Sequence, residues 1–147
     1  MKLDTNIKNI VAELERRIAD ELSPIDTERA YRDMLDECSE QCAFCKSLGS
    51  PSRLLLELDP VAYRCGQNDF EDSRRDEWTE VDGNYYETRE VDKIKEALLD
   101  ELTDELNKLE EERDELEEGA EQSEFNRIED EISEASAQVA ELEKHSF

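Results

Sequence analysis

Residues 99–142 read LDELTDELNKLEEERDELEEGAEQSEFNRIEDEISEASAQVAEL, and the spacing of their apolar positions decides the fold. Leu99, Leu102, Leu106, Leu109, Arg113 and Leu116 recur three and four apart. Phe125, Ile128, Ile132, Ala135, Val139 and Leu142 do the same. Each set is the single apolar stripe of a long helix. Turning the chain back at 120–121 sets Leu99 opposite Leu142, Leu102 opposite Val139, Leu106 opposite Ala135, Leu109 opposite Ile132, Arg113 opposite Ile128 and Leu116 opposite Phe125. The residue numbers of every pair have the same sum, as an antiparallel helical hairpin with coiled-coil packing requires. Gly119 suits the end of the first arm. Arg113 forms the one polar layer, its stem over Ile128 and its head free to reach a carboxylate. Pairing of each arm with a second copy of the chain is the alternative. The short connection favours the hairpin, because helix–helix loops of roughly 2–8 residues join antiparallel neighbours. A two-position seam buries little beyond itself, so the hairpin must project from, or lie along, the rest of the chain.

Residues 76–90 change character. Trp78, Thr79 and Val81 precede Asp82-Gly83, and Tyr85, Tyr86 and Thr88 follow. Asp-Gly between β-branched and aromatic residues predicts a β-hairpin with a type I′ turn. Further upstream, Ile7, Val11, Leu14 and Ile18, with Ile10 beside them, predict a helix from about Leu3 to Leu22. Ser23-Pro24 stops it and is read as cap and first residue of a second helix, which carries Tyr31, Leu35, Cys38, Cys42 and Cys45 and ends near Gly49. Ser50-Pro51 and Asp59-Pro60 repeat that device and predict two short helices, over 52–58 and 61–65. The whole is a mainly α protein: a helical region over 1–90 with one hairpin near 76–90, then an acidic antiparallel helical hairpin over 91–147. With only four Gly and three Pro in 147 residues, turns are few.

Charge narrows the function. The chain has 43 Asp and Glu against 18 Lys and Arg, a net charge of −25. Nucleic-acid binding draws its affinity from cations laid on phosphates, so direct binding is not expected; nor is binding to an anionic membrane. No stretch approaches the 18 or so apolar residues of a transmembrane helix. The first residues, MKLDTNIKNIVAELERR, hold no apolar run of signal-peptide length, so cytoplasmic residence with reduced thiols is expected. The outer faces of the long hairpin gather Glu101, Asp104, Glu105, Glu111, Glu112, Asp114, Glu115 and Glu118, a candidate surface for a basic protein partner that mimics a nucleic acid. Two plainer readings compete: any solvated helix carries charge, and a salt-rich cytoplasm selects acidic, lysine-poor surfaces. Trp78, Tyr85 and Tyr86 form a candidate aromatic contact, and because Tyr85 and Tyr86 are consecutive they point to opposite sides.

Cys38, Cys42, Cys45 and Cys65 are the candidate metal ligands. Four thiolates suit tetrahedral zinc, and an iron–sulfur cluster is chemically admissible. The first three also copy the cluster spacing of radical S-adenosylmethionine enzymes, but no alternating βα pattern is present to build their barrel. Positions 38, 42 and 45 instead continue a helical stripe, whose ligands splay apart, so buried core cysteines are the preferred expectation and no cofactor is expected. A disulfide is the remaining option. Catalysis finds no support: the lone His145 sits two residues from the C-terminus, 43 carboxylates guarantee close pairs by chance, and Gly66 and Gly83 belong to no phosphate loop.

Residues 31–90 also resemble a group of uncharacterised small proteins of tailed bacteriophages and archaeal viruses. The resemblance lies in YRDMLDEC at 31–38, PSRLLLELDPVAYRCG at 51–66 and DFEDS at 69–73. It implies a viral origin and a place in the infected cell or the virion, and it transfers no catalytic or binding residue. The expected function is thus a non-enzymatic interaction protein, with self-assembly through the coiled coil as the alternative and a small zinc module as the second.

Overall fold

The computed structural model describes residues 9–38, 47, 49–116 and 121–147. Among them lie α1 (Ile10–Glu21), α2 (Thr27–Cys38), α3 (Pro51–Leu58), α4 (Pro60–Ser73), β1 (Trp78–Val81), β2 (Asn84–Glu87), α5 (Thr88–Leu116) and α6 (Gln122–Lys144). The predicted class holds: N-terminal helices, one small hairpin, then two long helices. No helix among the described residues is long and apolar enough to cross a membrane. The chain divides into two units, Pro24–Thr88 and Arg89–Phe147, the latter joined by the segment ending at Ser23. Helix α1 thus falls in the same unit as the C-terminal helices.

In that unit, the arms run antiparallel. Lys95 Nζ, early in α5, donates to the backbone oxygen of His145, the C-cap of α6, at 2.7 Å. Every stripe position is buried or half-buried: Leu102, Leu109, Ile128, Ala135 and Leu142 fully, and Leu99, Leu106, Arg113, Leu116, Phe125, Ile132 and Val139 in part. The hairpin does not close on itself alone. Ile10, Leu14 and Ile18 of α1 are 0% exposed, and α1 packs against α6. Removing an aliphatic side chain of this size from water is worth roughly 1.5–3 kcal/mol. A third helix thus supplies the apolar surface that a narrow seam lacks. The buried line of α1 is 10, 14, 18, with Val11 half-buried beside it. Its start is also later than predicted. Asn9 is extended and its side chain accepts from Ala12 N at 3.1 Å, so the helix begins at Ile10. Ile7 lies outside the described residues.

The other unit is built on aromatic packing. Tyr31, Tyr63 and Phe70 are its buried cluster, with Ala30, Met34, Leu35, Leu55 and Trp78 against it. Three predicted starts can be compared with their caps. Ser50 accepts from Arg53 N and Asp59 from Ala62 N, each followed by proline at the first helical position, as expected. Ser23 does not cap α2. Asp26 does, its Oδ1 accepting from Arg29 N at 3.0 Å. The intervening Ile25 N–H donates to Tyr85 O at 2.7 Å, which ties this non-helical connection to β2. The helix expected to be short at 61–65 continues to Ser73. Gly66 lets it pass Tyr31: a Cβ there would lie 2.1 Å from the Tyr31 hydroxyl oxygen.

The hairpin is as predicted. Asp82 and Gly83 both have positive φ, +50° and +77°, the type I′ geometry that matches the twist of the flanking strands. The register pairs Trp78 with Glu87, Thr79 with Tyr86, Glu80 with Tyr85 and Val81 with Asn84. Trp78, Glu80, Tyr85 and Glu87 therefore share one face, and Thr79, Val81, Asn84 and Tyr86 the other.

Candidate interaction surfaces

The acidic candidates divide by what the fold does with them. Glu101 is occupied: Arg17 of α1 grips both of its oxygens, at 3.0 and 2.9 Å, and also holds Glu13 at 2.9 Å. The Arg17 side chain is only 13% exposed. Its hydrogen bonds with Glu101, then Glu13, push its own pKa up against the opposing effect of burial. The same contact pulls the Glu101 carboxyl below its ordinary value, and Arg16, with Arg17, does so for Glu13. Glu101 is therefore a fold contact between α1 and α5. Asp114 is exposed and accepts from the half-buried Arg113 at 3.1 Å, so the polar layer turns its head to the adjacent residue of its own helix. Glu105 is half-buried. Asp104, Glu111, Glu112 and Glu115 are exposed. Glu118 lies outside the described residues. The exposed carboxylates sit on one continuous 29-residue helix, which at 1.5 Å per residue is about 44 Å long.

The aromatic candidates are placed by strand alternation. Tyr86 is buried, 3% exposed, and this corrects its assignment to a contact surface. Trp78 and Tyr85 are half-buried on the other face, ring centroids 6.4 Å apart. Trp78 stacks edge-on against Phe70 at 5.7 Å, and the Arg74 guanidinium lies over both rings. Burial, then the nearby Glu80, raises the pKa of the Tyr85 phenol. These rings serve first to fix the hairpin to α4 through a continuous aromatic contact, each edge-to-face pair worth about 0.5–1.5 kcal/mol beyond area.

The cysteines depart from expectation. Cys38 and Cys65 are free and exposed, not core residues. The α2 stripe leaves the core after Leu35, and the Cys38 thiol points at Met34 sulfur, 3.8 Å away. Cys65 lies off the buried line of α4, which runs through Tyr63 and Phe70. Cys42 and Cys45 lie outside the described residues. Among the described residues no three His, Cys, Asp or Glu side chains gather as metal ligands.

A polar cluster that the sequence reading missed joins α2 to α3. Asp36 accepts from the Ser50 hydroxyl at 2.9 Å, from Ser52 N at 3.0 Å and from the Ser52 hydroxyl at 3.1 Å. Burial works to raise the Asp36 pKa, but these donors, with the charge of Arg32, bring it below its ordinary value. Ser52 is itself buried, 4% exposed. The only sequence signal was Ser50-Pro51 as a helix start, which marks Ser50 but not its partner 14 residues earlier. Also missed was an exposed apolar corner, Leu58 at 81% and Val61 at 70%. Its signal was present: both residues flank Asp59-Pro60, where one helix ends and another begins.

Comparison with family models, with curated proteins and with solved structures returned no match.

Proposed function

We propose that this chain is a non-enzymatic acidic interaction protein whose long helices engage a basic surface of a protein partner in place of a nucleic acid. The observation that carries the reading is the density of charge on a rigid support. Helices α5 and α6 together hold nineteen carboxylates and seven cations. Their net charge, spread along the ~44 Å of α5, comes to roughly one negative charge per 3.6 Å, close to the one per 3.4 Å of a single nucleic-acid strand. Asp104, Glu111, Glu112 and Glu115 stand exposed on that support. A groove that evolved to hold phosphates gains the same release of counterions from such a row. The resemblance of residues 31–90 to viral proteins fits a role in an infected cell's cytoplasm or in a virion, where blocking a host nucleic-acid-binding protein has an obvious use.

The test is affinity capture of partners by the intact chain, followed by titration of the purified complex with NaCl and with duplex DNA. The expected result is affinity that falls steeply with salt, displacement by DNA, and at least about tenfold weaker binding for Asp104→Asn/Glu111→Gln/Glu112→Gln/Glu115→Gln, since several charge contacts are lost together. A complex that survives high salt and ignores DNA refutes mimicry.

A further inference from the structure

The corner between α3 and α4 differs from the rest of the chain in both charge and polarity. Leu58, the last residue of α3, is 81% exposed, and Val61, three positions on in α4, is 70% exposed. Leu54 lies one turn before Leu58 on the same side of α3 and is half-buried; Cys65 lies one turn after Val61 on the same side of α4 and is exposed. Residues 51–66 contain Arg53 and Arg64 against Glu57 and Asp59, so this stretch carries no net charge in a chain of −25. Single exposed apolar residues need no explanation, but adjacent ones on a polar, acidic protein mark a contact.

We infer that this corner is where two copies of the chain meet. Two bodies of charge −25 repel wherever their acidic faces approach. The corner itself adds no net charge, and its apolar side chains supply attraction that salt does not screen. The local charges are also self-complementary. Glu57 accepts from Arg53 at 2.9 Å, and Asp59 caps α4. Arg64 is exposed and forms no ion pair among the described residues. In a two-fold contact each residue that meets a second is met by it in return, so Arg64 of one protomer faces the carboxylates of Glu57 and Asp59 of its partner, twice over. A basic protein of the kind drawn to α5 and α6 has no such reason to choose a neutral corner. The inference does not depend on the mimicry reading, and it assigns self-association to residues other than those of the helical seam.

The experiment is light scattering on the full chain from micromolar to millimolar concentration, at low and at moderate NaCl. The expected mass rises from that of one chain toward that of two, and further at the higher salt, because screening relieves the repulsion of two strongly negative chains by more than it weakens the Arg64 pairs, and leaves apolar contact intact. Leu58→Asp/Val61→Asp, both on exposed sites, should hold the protein at one chain with its helical circular dichroism unchanged. Arg64→Glu should weaken the association about tenfold, as loss of a paired charge does. With Cys38, Cys42 and Cys45 replaced by serine, a short bismaleimide should link two chains through Cys65. A parent protein monomeric at every concentration overturns the inference and leaves the corner to a different partner. Undiminished association of Leu58→Asp/Val61→Asp also overturns it and puts the contact elsewhere, such as the helical seam.

Discussion

Gly66 and Tyr31 show how one residue governs the packing of a unit. Glycine inside a helix ordinarily costs about 1 kcal/mol relative to alanine, so on propensity Gly66→Ala should stabilise α4. Here the added methyl would meet the Tyr31 hydroxyl oxygen at 2.1 Å and its Cζ at 3.1 Å. The Tyr31 ring cannot simply withdraw, since it packs against Tyr63 at 5.2 Å and Phe70 at 5.6 Å. We expect Gly66→Ala to lower stability by about 1–3 kcal/mol, the cost of overpacking a core, and Tyr31→Phe to recover part of that loss in the double variant. Urea denaturation midpoints of the three variants check it; a stabilised Gly66→Ala would show that the close approach is not rigid. The opposite outcomes for Tyr85 and Tyr86 are equally local. Alternation along β2 placed them on opposite faces, and that much was legible in the sequence. Which face would be buried was not, because it depends on what lies against the sheet.

At the scale of elements, caps separate what local sequence determines from what it leaves open. Ser50-Pro51 and Asp59-Pro60 start helices as their sequences imply. Ser23-Pro24 has the same pattern and does not, because the bond from Ile25 N to Tyr85 O ties that segment to the hairpin and postpones the helix to Thr27. Asp26→Ala should therefore cost about 1 kcal/mol, the usual loss of an N-cap side chain, whereas Ser23→Ala should fall within about 0.5 kcal/mol of the parent. Thermal or chemical melting of the two variants distinguishes them, and a larger loss for Ser23→Ala would restore Ser23 as the cap. The helical hairpin illustrates the same division. Its two stripes and its antiparallel direction follow from residue spacing. The docking of α1 does not, since an apolar line at 10, 14 and 18 states only that some surface must cover it. The ion pair of Arg17 with Glu101, 84 residues away, is likewise invisible to any local pattern.

For the molecule as a whole, the charge of −25 is the dominant physical fact. Most ion pairs among the described residues join positions three or four apart on one helix and are exposed on at least one side. Such solvent-exposed pairs add little to stability and are themselves screened by salt. Self-repulsion among the many remaining carboxylates acts against the folded state, and salt weakens it over a Debye length that shortens from about 30 Å at 0.01 M to about 8 Å at 0.15 M. Raising NaCl should thus raise the thermal midpoint, by more than the lost ion pairs lower it. A falling midpoint would mean that the pairs outweigh the repulsion. A chain that fails to fold without molar salt would assign its acidity to a salt-rich environment instead of to partner binding. Composition, helical periodicity, the Asp-Gly turn and the two serine or aspartate caps before proline were determined by the sequence itself, because each rests on covalent geometry or on neighbours within a few residues. The grouping of α1 with the distant C-terminal helices, the burial of Tyr86, the exposure of Cys38 and Cys65, the occupation of Glu101 by Arg17 and the bare corner at Leu58 and Val61 were decided only by tertiary structure. In each of those, the outcome depends on which distant surface arrives to cover or to charge-match a side chain, and a periodic pattern names the need without naming the partner.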